Sequence, residues 1–358
     1  MAYTTIDDPS AFFQTALYTG NATNNTAITF DGNSDMQPDW LWSKNRASDG
    51  YEHHVVDSVR GVNQLLRVSA DIHEFTSAPA FRSFNSDGFT LGENSYMNVD
   101  SDIQVMWGWK AGTSFTNDAS STSVGTIDSA GSISADAGFS IMTYTGTGSN
   151  GTVAHGLSAI PKMIIIKNRT KTSGDRDWAV YHQTLGNGSF ILLNSNAAKD
   201  DSDGFFNATT PTSSVFSLGD NTRVNASNDT YVAYCFSEKQ GYSKFGSYTG
   251  NGNADGPFVY TGFKPAFIMA KRSNSASSGN WNIRDSKRSP TNVASQVLQA
   301  DSSAAEGTAT GTLIDMYSNG FKPRNGGSGV NAGSSLYIYM AFAENPLVTS
   351  TGVPATAR

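Results

Sequence analysis

Apolar residues in this chain come in short runs, rich in Ile, Val, Tyr, Phe and Trp and bounded by Gly, Asn, Asp and Pro. Such runs predict β-strands, because β-branched and aromatic side chains pack well on a pleated surface. The Asp-Gly and Asn-Gly pairs between them predict tight hairpin turns, which need residues at positive φ. In residues 230–236, Tyr231, Ala233 and Cys235 alternate with Val232, Tyr234 and Phe236. Both faces of that strand are apolar, so burial on both sides is expected. A helical period is not sustained. Its best candidate, residues 292–306, aligns with strands elsewhere in the chain and reads as non-helical.

The runs fall into three copies of one pattern. Tyr18-Thr-Gly-Asn21 returns as Tyr144-Thr-Gly-Thr147 and as Tyr248-Thr-Gly-Asn251. In each copy a proline then opens an apolar run that ends in a lysine six residues on: Pro38 to Lys44, Pro161 to Lys167 and Pro265 to Lys271. Each copy closes with an Asn and an alternating apolar-aromatic run, from Asn98 to Trp109, Asn225 to Phe236 and Asn331 to Phe342. Self-similarity at both ends of three segments marks a repeat architecture. The predicted fold is all-β: three tandem related antiparallel β-sandwich modules, jelly-roll or lectin-like, spanning 1–110, 138–237 and 238–346. Residues 111–137 are rich in Gly, Ser, Thr, Ala and Asp and are expected to be a linker. Residues 347–358 are expected to form a mobile or partner-bound tail.

Composition acts mainly by exclusion. The 358 residues exceed the usual single-domain size, in keeping with several cores. Charged residues make up 15% of the chain, below the ~25% typical of soluble domains, and the net charge is −7. With 11% aromatic residues, the chain lacks the low hydrophobicity that disorder requires. No dense Lys/Arg tract points to nucleic acid. The longest apolar run, residues 337–343, is far short of the ~20 residues that span a bilayer, so membrane insertion is not expected. The start carries Asp7 and Asp8 without Lys or Arg, and no secretory signal is read there. The one cysteine, Cys235, leaves no intrachain disulfide and is expected to be a buried, inert thiol.

Candidate chemistry is sparse. Gly146-Thr-Gly148-Ser-Asn-Gly151 matches the G-x-G-x-x-G of dinucleotide sites, but no helix follows to receive a pyrophosphate, so a hairpin turn is expected. Asp200, Asp201 and Asp203 resemble part of a calcium loop, yet Lys199 and Thr210 stand where acids are needed. An adventitious Ca²⁺ is all that this turn suggests, and no cofactor is expected. The histidines His53, His54, His73, His155 and His182 form neither a metal motif nor a triad, so no catalytic residue is assigned and no enzymatic activity is expected. Asp57-Ser-Val-Arg60 and Asp285-Ser-Lys-Arg288 recur at matching places and read as ion pairs rather than a glycosidase acid pair; Tyr181-His182 stands there in the second copy. Lys44, Lys167 and Lys271, with Arg46, Arg169 and Arg272, read as structural charges at strand ends. Trp40, Trp42, Trp107 and Trp109 read as core. Trp178 and Trp281 each open a run after a polar loop and read as surface residues. With His182 they form the candidate glycan-binding set, because an aromatic face packs on the C–H face of a sugar.

The opening residues 4–10, the Tyr-Thr-Gly starts, the Lys-Asn-Arg ends at Arg46 and Arg169, Asp57 to Gly61, Asn85 to Gly92 and Thr230 to Phe236 together resemble a family of tail-fibre-like repeat proteins of tailed bacteriophages, those of marine and cyanobacterial hosts in particular. The resemblance spans nearly the whole chain and brings no catalytic residues with it. It implies a component of the virion exterior, made in the host bacterial cytoplasm. Expected partners are further copies of the chain (a trimer is favoured), other virion proteins and host-surface glycans. The expected function is a tail fibre or tail-associated receptor-binding subunit. The alternatives are a capsid decoration or connector protein working through protein contacts, and a polysaccharide depolymerase.

Overall fold

In the computed structural model, residues 2–78, 80–93, 96–174, 176–277 and 279–356 are described. The fold is all-β, 41% strand and 5% helix, and its strands pair antiparallel. Each copy builds one main sheet. In the first copy its strands lie in the order Phe13–Thr19, Ile103–Trp109, Trp40–Asn45, His54–Asp57, Gln64–Arg67 and Phe75–Thr76. The third copy repeats that order with Ser243–Thr249, Leu336–Pro346, Phe263–Arg272, Asn282–Asp285, Gln296–Gln299 and Gly307–Thr308. The second uses Phe139–Thr145, Thr230–Ser237, Pro161–Asn168, Ala179–His182, Ser189–Leu192 and Asp200–Asp201. The closing run of each copy thus lies between its opening strand and its proline strand. That central place, covered on both faces, is why its alternation is apolar on both sides.

A smaller sheet covers the outer face of each main sheet. Its strands are Thr26–Ile28, Phe89–Leu91 and Phe81–Phe84 in the first copy, and Gly151–Ala154 with Val215–Leu218 in the second. In the third they are Val259–Tyr260, Gly320–Pro323 and Ile314–Tyr317. Each pair of sheets encloses its own apolar core, for instance Leu41, Met106 and Phe89 in the first copy and Ile268, Tyr339 and Phe321 in the third. Cys235 lies in the corresponding core of the second copy, fully buried, and burial pushes its thiol up to about 12.

The inner faces of the three main sheets meet in a fourth core. Trp40, Trp42, Trp107 and Trp109 pack there with Phe139, Tyr234 and Phe236 of the second copy and Phe267 and Phe342 of the third. Trp40 stacks on Tyr234 at 4.6 Å, and Phe13 on Phe342 at 5.4 Å. Each Phe sealed in this way contributes up to about 3 kcal/mol. The three sandwiches, consecutive in sequence, therefore close into a ring around one shared aromatic centre.

Two expectations need correction. Residues 111–137 are not a linker: they form the strands Thr113–Asn117 and Ser129–Ser134, which extend the second main sheet beyond Phe139–Thr145. Ser132 and Ser134 are buried on one side of the inner of these two strands and Ser129 on the other, so no apolar alternation announces it. Residues 347–356 are not a loose tail. Leu347 N–H donates to the Gly262 carbonyl, Val348 bridges Pro354, and the Ser350 backbone and hydroxyl both bond Asp7. Residues 357 and 358 lie outside the described residues.

Candidate functional site

The residues that recur in all three copies act on the protein itself. The tyrosine of each Tyr-Thr-Gly start donates to the carbonyl just before the repeated asparagine: Tyr18 to Met97, Tyr144 to Val224 and Tyr248 to Val330, each at 2.7 Å. The asparagine then pins the turn that follows the tyrosine. Asn98 accepts from Asn21 N–H and donates to the Thr23 and Gly92 carbonyls. Asn225 does the same with Thr147, Ser149 and Gly219, and Asn331 with Asn251, Asn253 and Asn325. All three asparagines are fully buried. A loop backbone left unpaired there would cost about 1–3 kcal/mol per group.

The repeated lysines and tryptophans hold the seams between copies. Trp178 Nε1 donates to the Arg67 carbonyl of the first copy, and Trp281 Nε1 to the Leu192 carbonyl of the second, both at 2.8 Å. In the first copy His53 stands at this place, beside the Gln299 backbone of the third, with its Nε2 in no hydrogen bond. Arg67, Leu192 and Gln299 each end the fifth strand of their main sheet, so the contacts run around the ring and close it. Lys167 and Lys271 lie over the rings of Trp178 and Trp281, at 5.9 and 5.6 Å from their centroids. Lys44 donates to the Asn45 and Ser303 carbonyls, Lys271 to those of Ser195 and Gly279, and Lys167 to that of Arg176. Burial lowers the three ammonium groups to about 8, 8 and 7 for Lys44, Lys271 and Lys167.

Two of the three seams carry a buried aspartate–arginine pair. At the seam of the first and second copies, Arg60 pairs with Asp57 and, at 2.7 Å, with Glu74; Glu74 also binds Arg169 at 2.8 Å. Tyr234 of the second copy donates to Asp57 at 2.7 Å. The seam of the third and first copies repeats this with Arg288, Asp285, Glu306 and Arg46, and Trp107 Nε1 donates to Asp285 at 3.0 Å. Burial works against the Arg60 charge, but Asp57, Tyr234 and Glu74 outweigh it, and its pKa rises. The ion-pair reading of both Asp-x-x-Arg motifs thus describes their geometry.

The seam of the second and third copies has no such ion pair. His182 replaces the aspartate. Its Nδ1 accepts from Thr184 N–H at 3.3 Å, which leaves the proton on Nε2 to reach the Tyr339 carbonyl at 3.2 Å. Burial lowers the imidazole to about 4. Gln183 adds a bond of 2.6 Å to the Phe245 carbonyl. Where Glu74 and Glu306 receive an arginine, Lys199 stands and turns to Asp201 at 2.6 Å.

The candidate glycan-binding set is therefore overturned as a surface. Trp178 and Trp281 are fully buried and His182 is 1% exposed. No ring face of theirs is open to a sugar. The run after a polar loop begins at a seam, which only ring closure creates. The other motifs are local. The loop after Gly146 is tied to Asn225 and leads into the strand Gly151–Ala154, not a helix. Asp201 binds Lys199 and the Ser189 hydroxyl. Among the described residues no group of three or more metal-ligating side chains is found. Burial lowers His54 to about 3 and His155 to about 4. A cavity of about 420 Å³ between the first and third copies is lined by Asp8, Gln14, Asp31, Lys264, Lys287 and Glu344, with Lys287 paired to Asp31 and Lys264 to Glu344.

One surface feature escaped the sequence. Phe258 and Tyr260, on either side of the buried Val259, are 48% and 52% exposed. Phe258 meets Tyr317 edge-on at 5.9 Å. Tyr3 gives its hydroxyl proton to the Gly262 carbonyl at 2.7 Å, so the 3.2 Å contact between phenols is a donation from Tyr260. The cover-sheet register pairs Val259 with Phe321, Ile28 with Phe89 and Val153 with Phe216. Phe258 and Tyr260 therefore stand where the first copy has Ala27 and Thr29 and the second has Thr152 and Ala154. Aligning the three copies on these Gly-Phe and Val-Phe turns is the signal that would have found them.

The chain belongs to the family described as Domain of unknown function (DUF7483), whose model matches residues 8–346. No curated protein matches it. The matched span runs through all three copies.

Proposed function

We propose that the protein is a structural subunit of a tailed-phage virion, part of a tail fibre or tail-associated assembly that binds a receptor on the host surface. The observation that supports this most is the use made of the repeated polar residues. Tyr18, Asn98 and their counterparts fix loop bases, while Lys44, Asp57, Arg60 and theirs lock the seams. Such a scaffold holds its sheets rigid and leaves outward loops free to vary, which is how binding is commonly carried on β folds. This reading gives catalysis no part, since Asp57 and Asp285 are engaged by arginine and His182 by the backbone. Host-surface glycans are the receptor class, bound weakly per subunit and strengthened by several copies per particle.

A capsid decoration or connector role is the second reading. The ring of three related faces favours it, because such a shape suits a threefold position on a lattice. Gold-labelled antibody against the chain, applied to virions, separates the two. Label on the tail, with purified chain slowing phage adsorption to host cells, is the expected result. Label confined to the head, with no effect on adsorption, overturns the first reading in favour of the second.

A further inference from the structure

We infer that Phe258 and Tyr260 form a carbohydrate-binding platform, carried by the third copy alone among the three. The inference rests on the receptor-binding reading above and gives it a place. Packing does not explain the two rings, since the first copy builds the same strand with Ala27 and Thr29 at the matching positions. They are nevertheless held. A Cβ on Gly320 would come within 2.2 Å of the Val259 carbonyl oxygen, as one on Gly88 would with Ile28, and within 2.9 Å of Phe258 Cζ, so the ring lies close over the neighbouring strand, where Tyr317 abuts it. The Tyr260 hydroxyl is fixed by its bond to Tyr3.

The surroundings suit a sugar. Lys322 follows the buried Phe321 and so shares the outer face of the cover sheet with Phe258 and Tyr260. It pairs with Asp255, whose side chain is 85% exposed, at 2.5 Å. Rings that take the C–H face of a pyranose thus sit beside an ammonium and a carboxylate that can bond its hydroxyls. Size argues against a protein partner. Two half-exposed rings offer on the order of 200 Å², about a quarter of the ~800 Å² each partner needs in a stable interface.

The test compares the full chain with a double variant, Phe258→Ala with Tyr260→Thr, which carries the first copy's residues at both places. Both proteins are applied to an array of bacterial lipopolysaccharide and capsular oligosaccharides, and their melting and sedimentation are recorded. The parent is expected to bind, and the variant to lose at least tenfold with melting unchanged. A parent that binds nothing on the array overturns the platform, as does a variant that binds equally well. A parent dimer that the variant converts to monomer also overturns it, since the rings would then cover a second copy. Competition for phage adsorption keeps the two proposals apart. If the parent slows adsorption and the variant still binds glycan, the platform fails and receptor binding stands. If the parent does not slow adsorption, receptor binding itself fails.

Discussion

The seam between the first and second copies and the seam between the second and third occupy equivalent places in the ring but use opposite chemistry. The former buries Asp57 and Arg60 with no exposed side-chain surface, and the latter buries a neutral His182. The facing strand decides which is tolerated. Two residues before the end of each closing run stand Trp107, Tyr234 and Met340. Trp107 and Tyr234 each give a hydrogen-bond donor to the aspartate across the seam, and methionine has none to give. An aspartate facing Met340 would lose one of the bonds that make its burial tolerable, and a buried charge short of partners is costly. The lesson is that a repeated ion pair survives only where its whole cage repeats.

The largest test of this contrast is Asp285→Ala. It takes one of the two carboxylates from Arg288, which keeps Glu306, and strands the Trp107 Nε1 proton inside the seam; a broken buried pair costs about 3–5 kcal/mol. A shift in the urea midpoint corresponding to less than 1 kcal/mol would show that the cage is not needed. Acid should come next and act on the seam that holds His182. In the unfolded chain a histidine takes up its proton near 6.5, whereas His182 in the fold does so only near 4. As pH falls from 6.5 to 4 the unfolded state binds more protons, so stability falls, by about 3 kcal/mol for this residue. His54 and His155, also lowered, add losses of their own. Chemical denaturation across that window should therefore give a shallower slope for His182→Gln than for the parent, and identical slopes would rule out the histidine as the source. Gln183→Ala leaves the Phe245 carbonyl without its side-chain donor and should cost about 1 kcal/mol by the same measurement. Lys287→Ala removes an exposed pair with Asp31 between the third and first copies. Its cost should stay below about 1 kcal/mol and vanish in high salt.

How much of this could be read from the chain depends on how local each cause is. The strands, the three copies and the Asp-x-x-Arg pairs were legible because alternation and short spacings encode them. The bonds from each tyrosine to the carbonyl before the repeated asparagine were half legible: the recurrence of both residues was plain, but partners about 80 residues apart in sequence could not be matched without the sheet order. Trp178 and Trp281 were misread because their burial comes from a neighbouring copy, which no window of sequence contains. The strand Ser129–Ser134 was missed because serine can fill a shallow buried face without an apolar signal.

Residues 3–8 pack against the far end of the same chain, with Tyr3 on Gly262, Thr4 on Gln240 and Asp7 on Ser350. A trimer of separate, identical polypeptides would stamp any change three times over and would come apart on dilution. Covalent fusion frees the assembly from concentration and lets one lobe evolve features its siblings lack. Any such feature is then present once per molecule, and three equal copies of it would need three molecules.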